Sequence, residues 1–552
     1  MSSPWMNRGE GSAPEASPGP PCVVFEDDDL LVVHKPPGWN THAPAPYSGE
    51  GIHEWLKHRE PRWARLAIVH RLDKDTSGLL VFGKTPEANR SLTGQFARRE
   101  VHKHYLCVTD RPVAQESLTV RSGMVRMGDR HAIAPEGTGD RAETRFRMVR
   151  REGAKTWMEA EPVTGRTHQI RVHAASRGWP LLGDRLYGGS PASRLYLHAA
   201  RLALGHPRDG RPMAWEAPVE FARPPAAALR AGILREAETS VWRAIHGAAD
   251  GCPGSYLEMW ADSLLIESEQ APPGGNEASL RSWIRSVAGD EAAGASRICF
   301  KALRRQVRQT DPADASPRLL AGPPAPPRFG IRENGVRFEA GFAEGYSTGL
   351  FPDQRDNRRR LLTGHVAADF PALTPPAAGA AVLNTFAYTC AFSVCAALRG
   401  CRTTSLDLSR KYLEWGRRHF ELNGLDPGGH EFIHGDVFEW LDRLRRKGRQ
   451  FQVVILDPPT FSRSREHGDF RADADYGDLV SRALPLLAAE GVLLASTNAA
   501  RWAPADFLKA VHGAIQAAGR RVTHEHYAPQ PPDFPVTRDE PAYLKTVWMR
   551  IR

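Results

Sequence analysis

Two proline-rich stretches divide the 552-residue chain into segments of different pattern, and this division limits what the chain can fold into. The first lies around residues 220–240 and the second around residues 311–330. A chain of this length exceeds what one hydrophobic core supports, so the two joints predict separate domains. The expected units are a disordered tail over 1–20, a domain over 21–228, a small α/β domain with its linker over 236–325, and a larger domain over 326–552.

The hydrophobic pattern changes from one segment to the next. Before the first joint, short β-rich runs alternate with turns, which predicts an α+β domain with a mixed, mainly antiparallel sheet. After the second joint, apolar strands alternate with amphipathic helices such as residues 411–424, KYLEWGRRHFELNG. Strands that are apolar on both faces and separated by helices predict a parallel, doubly wound, Rossmann-like sheet.

Charge and cysteine usage indicate the partner and the compartment. The net charge is +9 and the pI is near 9.3, and a basic surface modestly favours a nucleic-acid partner. The 7 cysteines are scattered without metal-ligand spacing, which predicts reduced thiols and no metal site. No apolar run is long enough to span a bilayer, and residues 1–20 lack the apolar core of a signal peptide. A cytoplasmic protein without a membrane partner is therefore expected.

The sharpest motif is HRLDKDTSGLL at residues 70–80. Its polar, turn-forming centre lies between two apolar runs, which places Asp73 on a loop between strands where a carboxylate can face a cleft. Taken alone, most matches to the Arg-Leu-Asp core of this motif are explained by a tight turn that uses Asp and Gly for backbone reasons.

Further motifs accompany it in a fixed order. They are EDDDLLVV at 26–33, KPPG at 35–38, TGRTHQIRVH at 164–173, LGDRLYG at 182–188 and LHAA at 197–200. This ordered series resembles the RluA family of pseudouridine synthases over roughly 200 residues. The resemblance implies that a uridine is flipped out of its strand, its glycosidic bond is cleaved, and the base is rotated and rejoined through C5. It implies no cofactor and no metal for this reaction.

The resemblance also implies roles for single residues. Asp73 matches the catalytic aspartate, and Arg171 matches the arginine that pairs with it and favours its ionised form. Tyr105 matches the active-site tyrosine, whose ring can stack on the extruded base; the alternative is a core aromatic on a strand. Two roles stay open for His70 and Arg71, which are contact with flanking nucleotides and support of the loop. The residues expected to bind RNA in this domain are His70, Arg71, Arg166, His168 and Gln169.

Members of this family often carry an extra small RNA-binding domain ahead of the catalytic part. Only a short tail precedes it here, so substrate selection is expected to come from elsewhere, with the C-terminal half as one candidate.

A second group of motifs lies in the larger domain. VLNTFAYT at 382–389 leaves its first strand, TTSLD at 403–407 ends in an acid, GDV follows at 435–437, and ILDPPTF at 455–461 ends another strand. Ligands bind at the carboxyl ends of such strands, and an acid there binds ribose hydroxyls. Alone, each piece is an ordinary cap or turn. Together they resemble class I methyltransferases that act on large-subunit ribosomal RNA and use S-adenosyl-L-methionine. The residues expected to bind this cofactor are Asn384, Phe386, Tyr388, Thr389, Asp407, Leu408, Asp436, Val437, Asp457 and Pro458.

Two more stretches narrow the resemblance to the RlmI and RlmK type. GYSTGLFPDQRD at 345–356 is similar to the lead-in of these enzymes, and residues 244–254 are similar to their small α/β domain. Members that methylate cytosine C5 need a cysteine nucleophile, but no cysteine follows Cys401. Guanine N7, which needs only positioning beside a sulfonium, is therefore favoured, with Phe461 expected to stack on the base.

One departure concerns the turn after the first strand. Many relatives have a glycine there, where this chain has Cys390 and Ala391, so weakened cofactor binding is an open alternative. The leading hypothesis is a bifunctional enzyme that forms pseudouridine and methylates a base, with 23S ribosomal RNA as the expected partner. A synthase joined to a catalytically silent RNA-binding module, and a fused small-molecule methyltransferase, are the alternatives. The sequence does not indicate whether the protein is a monomer or an oligomer.

Overall fold

The structure is a computed structural model that describes residues 19–303, 316–343, 348–373, 378–464 and 468–552. Residues 1–18 of the expected tail, residues 345–347 of the lead-in and residues 311–315 of the second proline-rich joint lie outside this part of the chain.

The first sheet has eleven strands within the described residues and is mostly antiparallel. Its strands are β1 Val23–Glu26, β2 Leu30–Lys35, β3 Ala67–Ile68, β4 Ser77–Gly83, β5 His102–Thr109, β6 Ser117–Met127, β7 Arg130–Ile133, β8 Asp140–Glu152, β9 Lys155–Pro162, β10 Leu197–Gly205 and β11 Pro212–Glu216. The order is β1-β2-β4-β10-β5-β9-β8-β6-β7, with β11 beside β10 and β3 beside β4. The pair β4–β10 is parallel, which makes the sheet mixed, as the sequence predicts.

Three helices pack around this sheet: α1 Ile52–Arg59, α2 Pro86–Arg98 and α3 Gln169–Ser176. The start of α2 is encoded locally, because Thr85 accepts a hydrogen bond from the backbone N–H of Ala88 at 3.1 Å and Pro86 opens the first turn. Helix α3 is the next helix after β9 in the chain; it carries two of the expected site residues, Gln169 and Arg171, and has a third, His168, at its N-cap.

In the part of the chain that the structure describes, the second sheet has five strands and builds a small α/β unit. Its strands are β12 Val241–His246, β13 Ser255–Trp260, β14 Ser263–Ser268, β15 Arg297–Ala302 and β16 Arg318–Ala321. Only β14 and β15 run parallel, joined by α5 Glu277–Ala293. Helix α4 Pro225–Ile233 bridges two cores, since Leu229 packs with the first sheet and Ala226 with the second.

Two short strand pairs and one helix lead into the last domain. They are β17 Phe329–Glu333 with β18 Val336–Ala340, α6 Arg355–Thr363, and β19 His365–Ala367 with β20 Phe370–Pro371. Single 3-10 turns occur at Pro61–Trp63, Arg185–Tyr187, Gly247–Asp250, Pro352–Gln354, Pro427–Gly429 and Leu484–Leu486.

The third sheet is the doubly wound sheet that the sequence predicts. Its strands are β21 Ala381–Thr385, β22 Arg402–Asp407, β23 Glu431–His434, β24 Phe451–Leu456, β27 Leu487–Thr497, β28 Val522–Tyr527 and β29 Lys545–Ile551, in the order β23-β22-β21-β24-β27-β29-β28. All neighbours up to β27 are parallel, and β29 is antiparallel to both of its neighbours. The strand order reverses beside β21, so a ligand crevice is expected at its carboxyl end. The α+β, α/β and Rossmann-like assignments are therefore confirmed.

Five helices cover the two faces of this sheet: α7 Ala391–Ala397, α8 Arg410–Leu422, α9 Val437–Arg446, α10 Ala472–Ala483 and α11 Pro504–Ala517. A hairpin of β25 Phe461–Ser464 and β26 Gly468–Arg471 follows β24.

Polar contacts join α1, which packs on the first sheet, to α6 and β19, which precede the third sheet. Trp55 of α1 donates its Nε1–H to Asp356 of α6 at 3.1 Å, and His365 pairs through Nε2 with the backbone oxygen of Lys57 at 2.9 Å. Buried polar groups that are satisfied across an interface fix its geometry.

None of the helices in the described ranges is long and apolar enough to cross a membrane.

Candidate active sites

Asp73 lies in the loop between β3 and β4, as the sequence predicts. Its side chain is half-buried, and the loop ends where β4 comes close to β10. A Cβ on Gly78, which has a φ of 119°, would collide with the backbone oxygen of Ala199, so only glycine allows this approach. The position of the carboxylate is thus set by the packing of two central strands.

Arg171 of α3 directs one nitrogen toward Asp73. Its Nε and Nη2 each donate to a different oxygen of Asp184 at 2.7 Å, while its Nη1 lies 3.8 Å from Asp73 Oδ2. The Asp184 side chain is fully buried, so this two-bond fork fixes the guanidinium plane. Burial lowers the pKa of Arg171, but the bonds to Asp184 and the charge of Asp73 outweigh it, and the pKa rises above its ordinary value. The cation beside Asp73 is permanent.

His168 and Gln169 shape the loop that opens α3. His168 has a φ of 58°, contacts the Tyr187 hydroxyl through Nδ1 at 2.9 Å, and holds Nε2 at 3.9 Å from Asp73 Oδ2. Gln169 is buried; its Oε1 accepts from the Arg166 backbone N–H at 3.0 Å and its Nε2 donates to Thr144 Oγ1 at 2.9 Å. Gln169 therefore orders the backbone beneath Arg166.

Tyr105 and His70 flank the same loop from the sheet side. Tyr105 of β5 is 7% exposed, and burial raises the pKa of its hydroxyl above its ordinary value. His70 accepts the backbone N–H of Val81 at Nε2 at 3.1 Å and stacks on Phe96, and burial lowers its pKa to about 3. A neutral His70 bonded in this way supports the loop.

The residues expected at this site converge on one cavity of about 690 Å³. Those that line it are Asp73, Tyr105, Arg171, His70, Arg71, Arg166, His168 and Gln169. The expected residues span about a hundred positions of the chain, yet they share one surface.

Lys35 is a buried residue of this site to which sequence reasoning assigned no role. Its Nζ donates to the backbone oxygens of Pro36, Trp39 and Lys74 at 2.8–2.9 Å. Lys74 follows Asp73 directly, so Lys35 ties the loop that carries Asp73 to the KPPG turn. The KPPG motif could have drawn attention to Lys35. The residue type alone, however, does not predict which backbone carbonyls the lysine binds.

The crevice of the third sheet is built by an irregular turn after β21. Phe386, Tyr388 and Cys390 have φ values of 52°, 48° and 61°, so left-handed residues alternate along the turn. Asn384 donates its Nδ2–H to Ser393 Oγ at 3.0 Å. Alternating left-handed residues expose backbone groups at close range, which suits a ligand that approaches the main chain.

Asp407 fixes this turn to the end of β22. Its Oδ2 accepts the Tyr388 backbone N–H and its Oδ1 accepts the Ser409 backbone N–H, both at 2.8 Å. Burial raises the pKa of Asp407, against the lowering effect of these two bonds. Thr389 donates its hydroxyl to the backbone oxygen of Gly349 at 2.7 Å, and Leu408 is 37% exposed beside Asp407.

Asp436 and Val437 open α9. One carboxylate oxygen of Asp436 accepts the Glu439 backbone N–H at 3.1 Å, which makes Asp436 the N-cap, while Val437 is buried. The capping bond uses Oδ1 and leaves Oδ2 as an acceptor for a ligand.

Asp457 directly follows β24, and the carboxylate of Asp353, to which the sequence assigned no role, acts on it. Burial, followed by the charge of Asp353, raises the pKa of Asp457 to about 6, although bonds from Ser496 and Gln354 lower it. Asp353 accepts the Tyr543 hydroxyl at 2.9 Å. Asp353 and Gln354 belong to the lead-in motif at 345–356, which could have marked them as site residues. No motif marks Ser496 or Tyr543.

Pro458 is buried next to Asp457, and Phe461 begins the β25–β26 hairpin. The hairpin thus places Phe461 on the chain segment that leaves the crevice.

Comparison with known proteins identifies both halves. Residues 29–176 match the model of the RNA pseudouridylate synthases, and residues 257–550 match that of the S-adenosylmethionine-dependent methyltransferases.

Individual relatives agree with these models. Ribosomal large subunit pseudouridine synthase C of Yersinia pestis is 38% identical over 212 residues, 36% of this chain and 66% of the relative. Ribosomal large subunit pseudouridine synthase D of Zymomonas mobilis is 38% identical over 217 residues, 35% of this chain and 68% of the relative. Ribosomal RNA large subunit methyltransferase of Deinococcus radiodurans is 30% identical over 341 residues, 61% of this chain and 79% of the relative. The chain thus spans about two thirds of the length of these synthases.

Proposed function

Because the chain belongs to the RNA pseudouridylate synthases in its N-terminal part and to the S-adenosylmethionine-dependent methyltransferases in its C-terminal part, we propose that it is a bifunctional RNA modification enzyme. The proposed reactions are isomerisation of a uridine to pseudouridine and transfer of a methyl group to a base, both in 23S ribosomal RNA. The observation that carries the first reaction is the Asp73 carboxylate, held 3.8 Å from Arg171 at the wall of a cavity lined by every expected N-terminal site residue. The domain boundaries near residues 21–228, 236–325 and 326–552 belong to this proposal.

In the proposed isomerisation, Asp73 acts as nucleophile or base on a flipped uridine. The N1–C1′ bond breaks and a C5–C1′ bond forms, while C5 loses a proton and N1 gains one, so no redox partner or cofactor is needed. The role of Arg171 is to keep a positive charge beside the carboxylate. The ring of Tyr105 gives the extruded base an aromatic surface.

The crevice residues suit S-adenosylmethionine. When bound, this cofactor supplies an electrophilic methyl group on its sulfonium. The carboxylate of Asp407 keeps lone pairs that can accept ribose hydroxyls, and Asp436 keeps an oxygen that can accept an amino group. The left-handed turn from Phe386 to Cys390 presents backbone groups to the rest of the molecule.

Guanine N7 is the proposed methyl acceptor. Cytosine C5 chemistry needs a thiolate, and Cys390 of the turn after β21 and Cys395 of α7 are both buried, with pKa values raised to about 12. A ring nitrogen with a lone pair needs only to be held against the methyl group. Phe461 is the proposed stacking partner of the base.

Two measurements test the pair of activities. Ribosomal RNA from cells that lack this gene should gain pseudouridine with the purified chain, and gain radiolabel when labelled S-adenosylmethionine is added. Asp73→Asn should abolish pseudouridine formation while RNA binding and methylation persist, because the amide keeps the size of the carboxylate but cannot act as nucleophile or base. An active Asp73→Asn enzyme would exclude the assigned role.

The alternative is a synthase whose methyltransferase fold only binds RNA. It is favoured by the turn in which Cys390 stands where many relatives have glycine. The alternative predicts pseudouridine formation with no methyl incorporation from any ribosomal RNA.

A further inference from the structure

A second cavity of about 840 Å³ adjoins the catalytic loop on another side of Asp73. Asp73, His168 and Arg171 line both this cavity and the cavity that holds the other expected N-terminal site residues. A uridine bound at Asp73 stays linked to both neighbouring nucleotides through phosphodiester bonds. Its strand must therefore leave the first cavity in two directions, and one of them opens into the second.

The far wall of this second cavity comes from the C-terminal half of the chain. Residues 249–252 and helix α5 contribute from the small α/β unit, and residues 530–537 contribute from the segment between β28 and β29. None of the crevice residues Asn384, Asp407, Asp436 or Asp457 is among its lining residues, so the cavity is distinct from the cofactor crevice.

The segment 530–537 is held in place by a buried charge network. Asp533 is fully buried; it accepts from Arg355 Nη1 at 2.9 Å and from the Arg243 backbone N–H at 3.0 Å, while Arg230 donates to its backbone oxygen at 2.7 Å. Gln530 accepts the backbone N–H of Tyr543 at 2.9 Å. A wall fixed in this way is preformed, and preformed walls reduce the entropy that binding costs.

The chemistry of the lining fits single-stranded RNA. Exposed Lys74 and Arg185 lie at the end near Asp73, where they can meet phosphates. Pro535 and Val536, both half-buried, offer apolar contact to bases and sugars at the opposite wall. The volume lies within the roughly 300–1,000 Å³ of small-ligand sites, which suits a few unpaired nucleotides.

We propose that this cavity binds the nucleotides that flank the target uridine, so that the C-terminal half forms part of the RNA-binding site of the synthase. The inference rests on the proposed synthase activity and adds a binding surface that a lone synthase domain lacks. The C-terminal half then selects RNA for the first reaction as well as for the second.

Charge substitutions on α5 test this inference. Ser286 and Ser282 are both exposed on this helix, but only Ser286 lines the cavity. Ser286→Glu should raise the KM for ribosomal RNA in pseudouridine formation by about tenfold, because a carboxylate repels phosphate, and leave kcat within about twofold. Ser286→Lys should lower the same KM. Ser282→Glu and Ser282→Lys, the matched controls, should leave KM unchanged.

A second variant probes the segment 530–537 of the same wall. Val536→Glu should raise the KM in the same way, with Leu398→Glu, at an exposed apolar position outside the cavity, as its control. The opposite signs at Ser286 separate charge recognition from damage to the fold, since damage would raise KM for both substitutions.

The outcomes distinguish a failure of the proposed function from a failure of this inference alone. If the unaltered chain forms no pseudouridine, the proposed function fails and this inference falls with it. If the unaltered chain is active but Ser286→Glu and Val536→Glu keep its KM, the inference alone is overturned. Equal effects at Ser282 and Ser286 overturn it as well, because they would indicate repulsion by net charge.

Discussion

The Sγ of Cys390 occupies the space that the missing Cβ of Gly416 leaves on α8. A Cβ built on Gly416 would lie 2.8 Å from Cys390 Cβ and would collide with Cys390 Sγ. The side chain of Cys390, at the position where the family resemblance leads us to expect a glycine, is therefore directed toward the helix behind the turn. This packing offers a reason why the substitution need not obstruct the crevice.

Gly416→Ala should destabilise the protein, because the added methyl group overpacks the contact with Cys390. The expected loss is about 1–3 kcal/mol in the free energy of unfolding, measured by denaturant or thermal unfolding. The double variant Cys390→Gly/Gly416→Ala should recover most of this loss, since it empties the space again. Equal stability of the single and double variants would show that the two residues do not compete for this space.

Cys390→Gly alone should leave cofactor binding within about twofold, since Gly tolerates the φ of 61° that Cys390 adopts. Isothermal titration with S-adenosylmethionine measures this directly. A gain in affinity of about tenfold or more would instead mean that the cysteine weakens the site, the alternative that the sequence leaves open.

Asp184→Asn should impair the synthase and the fold together. The amide removes the charge that the buried Arg171 fork requires, and a buried ion left without its partner costs about 3–5 kcal/mol. The kcat of pseudouridine formation should fall more than the KM for RNA rises, because the proposed role of Arg171 is exerted through Asp73. Asp28→Asn, at a side chain that is 89% exposed, is the matched control and should be neutral in stability and rate.

The sequence predicts the elements of this structure well where the pattern is local. Helix α8 spans Arg410–Leu422 within one residue of the start of the predicted stretch, since its apolar face repeats with helical period and Ser409 caps it by accepting the Tyr412 backbone N–H at 3.3 Å. Asp407 ends β22 and Asp457 directly follows β24, as the apolar runs before them predict.

Contacts between distant segments could not be predicted in this way. Trp55 and Asp356 are 301 positions apart, and nothing in either segment reveals that α1 meets α6. The fork between Arg171 and Asp184 depends on how the loop after α3 folds back, which has no period. For the same reason, the wall that residues 530–537 place near Asp73 has no signal in the sequence.

Methyl transfer should survive alkylation of the native protein with iodoacetamide. The cysteines of the C-terminal domain are Cys390, Cys395 and Cys401; all are buried, and burial raises their pKa values to about 12, 12 and 11. Buried thiols with raised pKa values react slowly, whereas Cys252 is only half-buried and should be modified first. Mass spectrometry locates the modified residues. Loss of methylation in step with alkylation of one C-terminal cysteine would indicate a covalent mechanism and contradict guanine N7 as the acceptor.

Asp457→Asn should stabilise the protein near neutral pH more than in mild acid. Burial raises the pKa of Asp457 from 3.8 to about 6, so the folded state binds a proton that the unfolded state releases between these values. Stability from this group therefore falls as pH rises from about 4 to about 6, and the ionised carboxylate beside Asp353 is a net cost above that range. Replacing it by a neutral amide removes the cost, so the rise in Tm should be larger at about pH 7.5 than at about pH 4.5. Asp473→Asn, at a half-exposed side chain on α10, serves as the control and should show no such difference. A rise in Tm that is independent of pH would mean that Asp457 is already ionised without cost in the folded crevice.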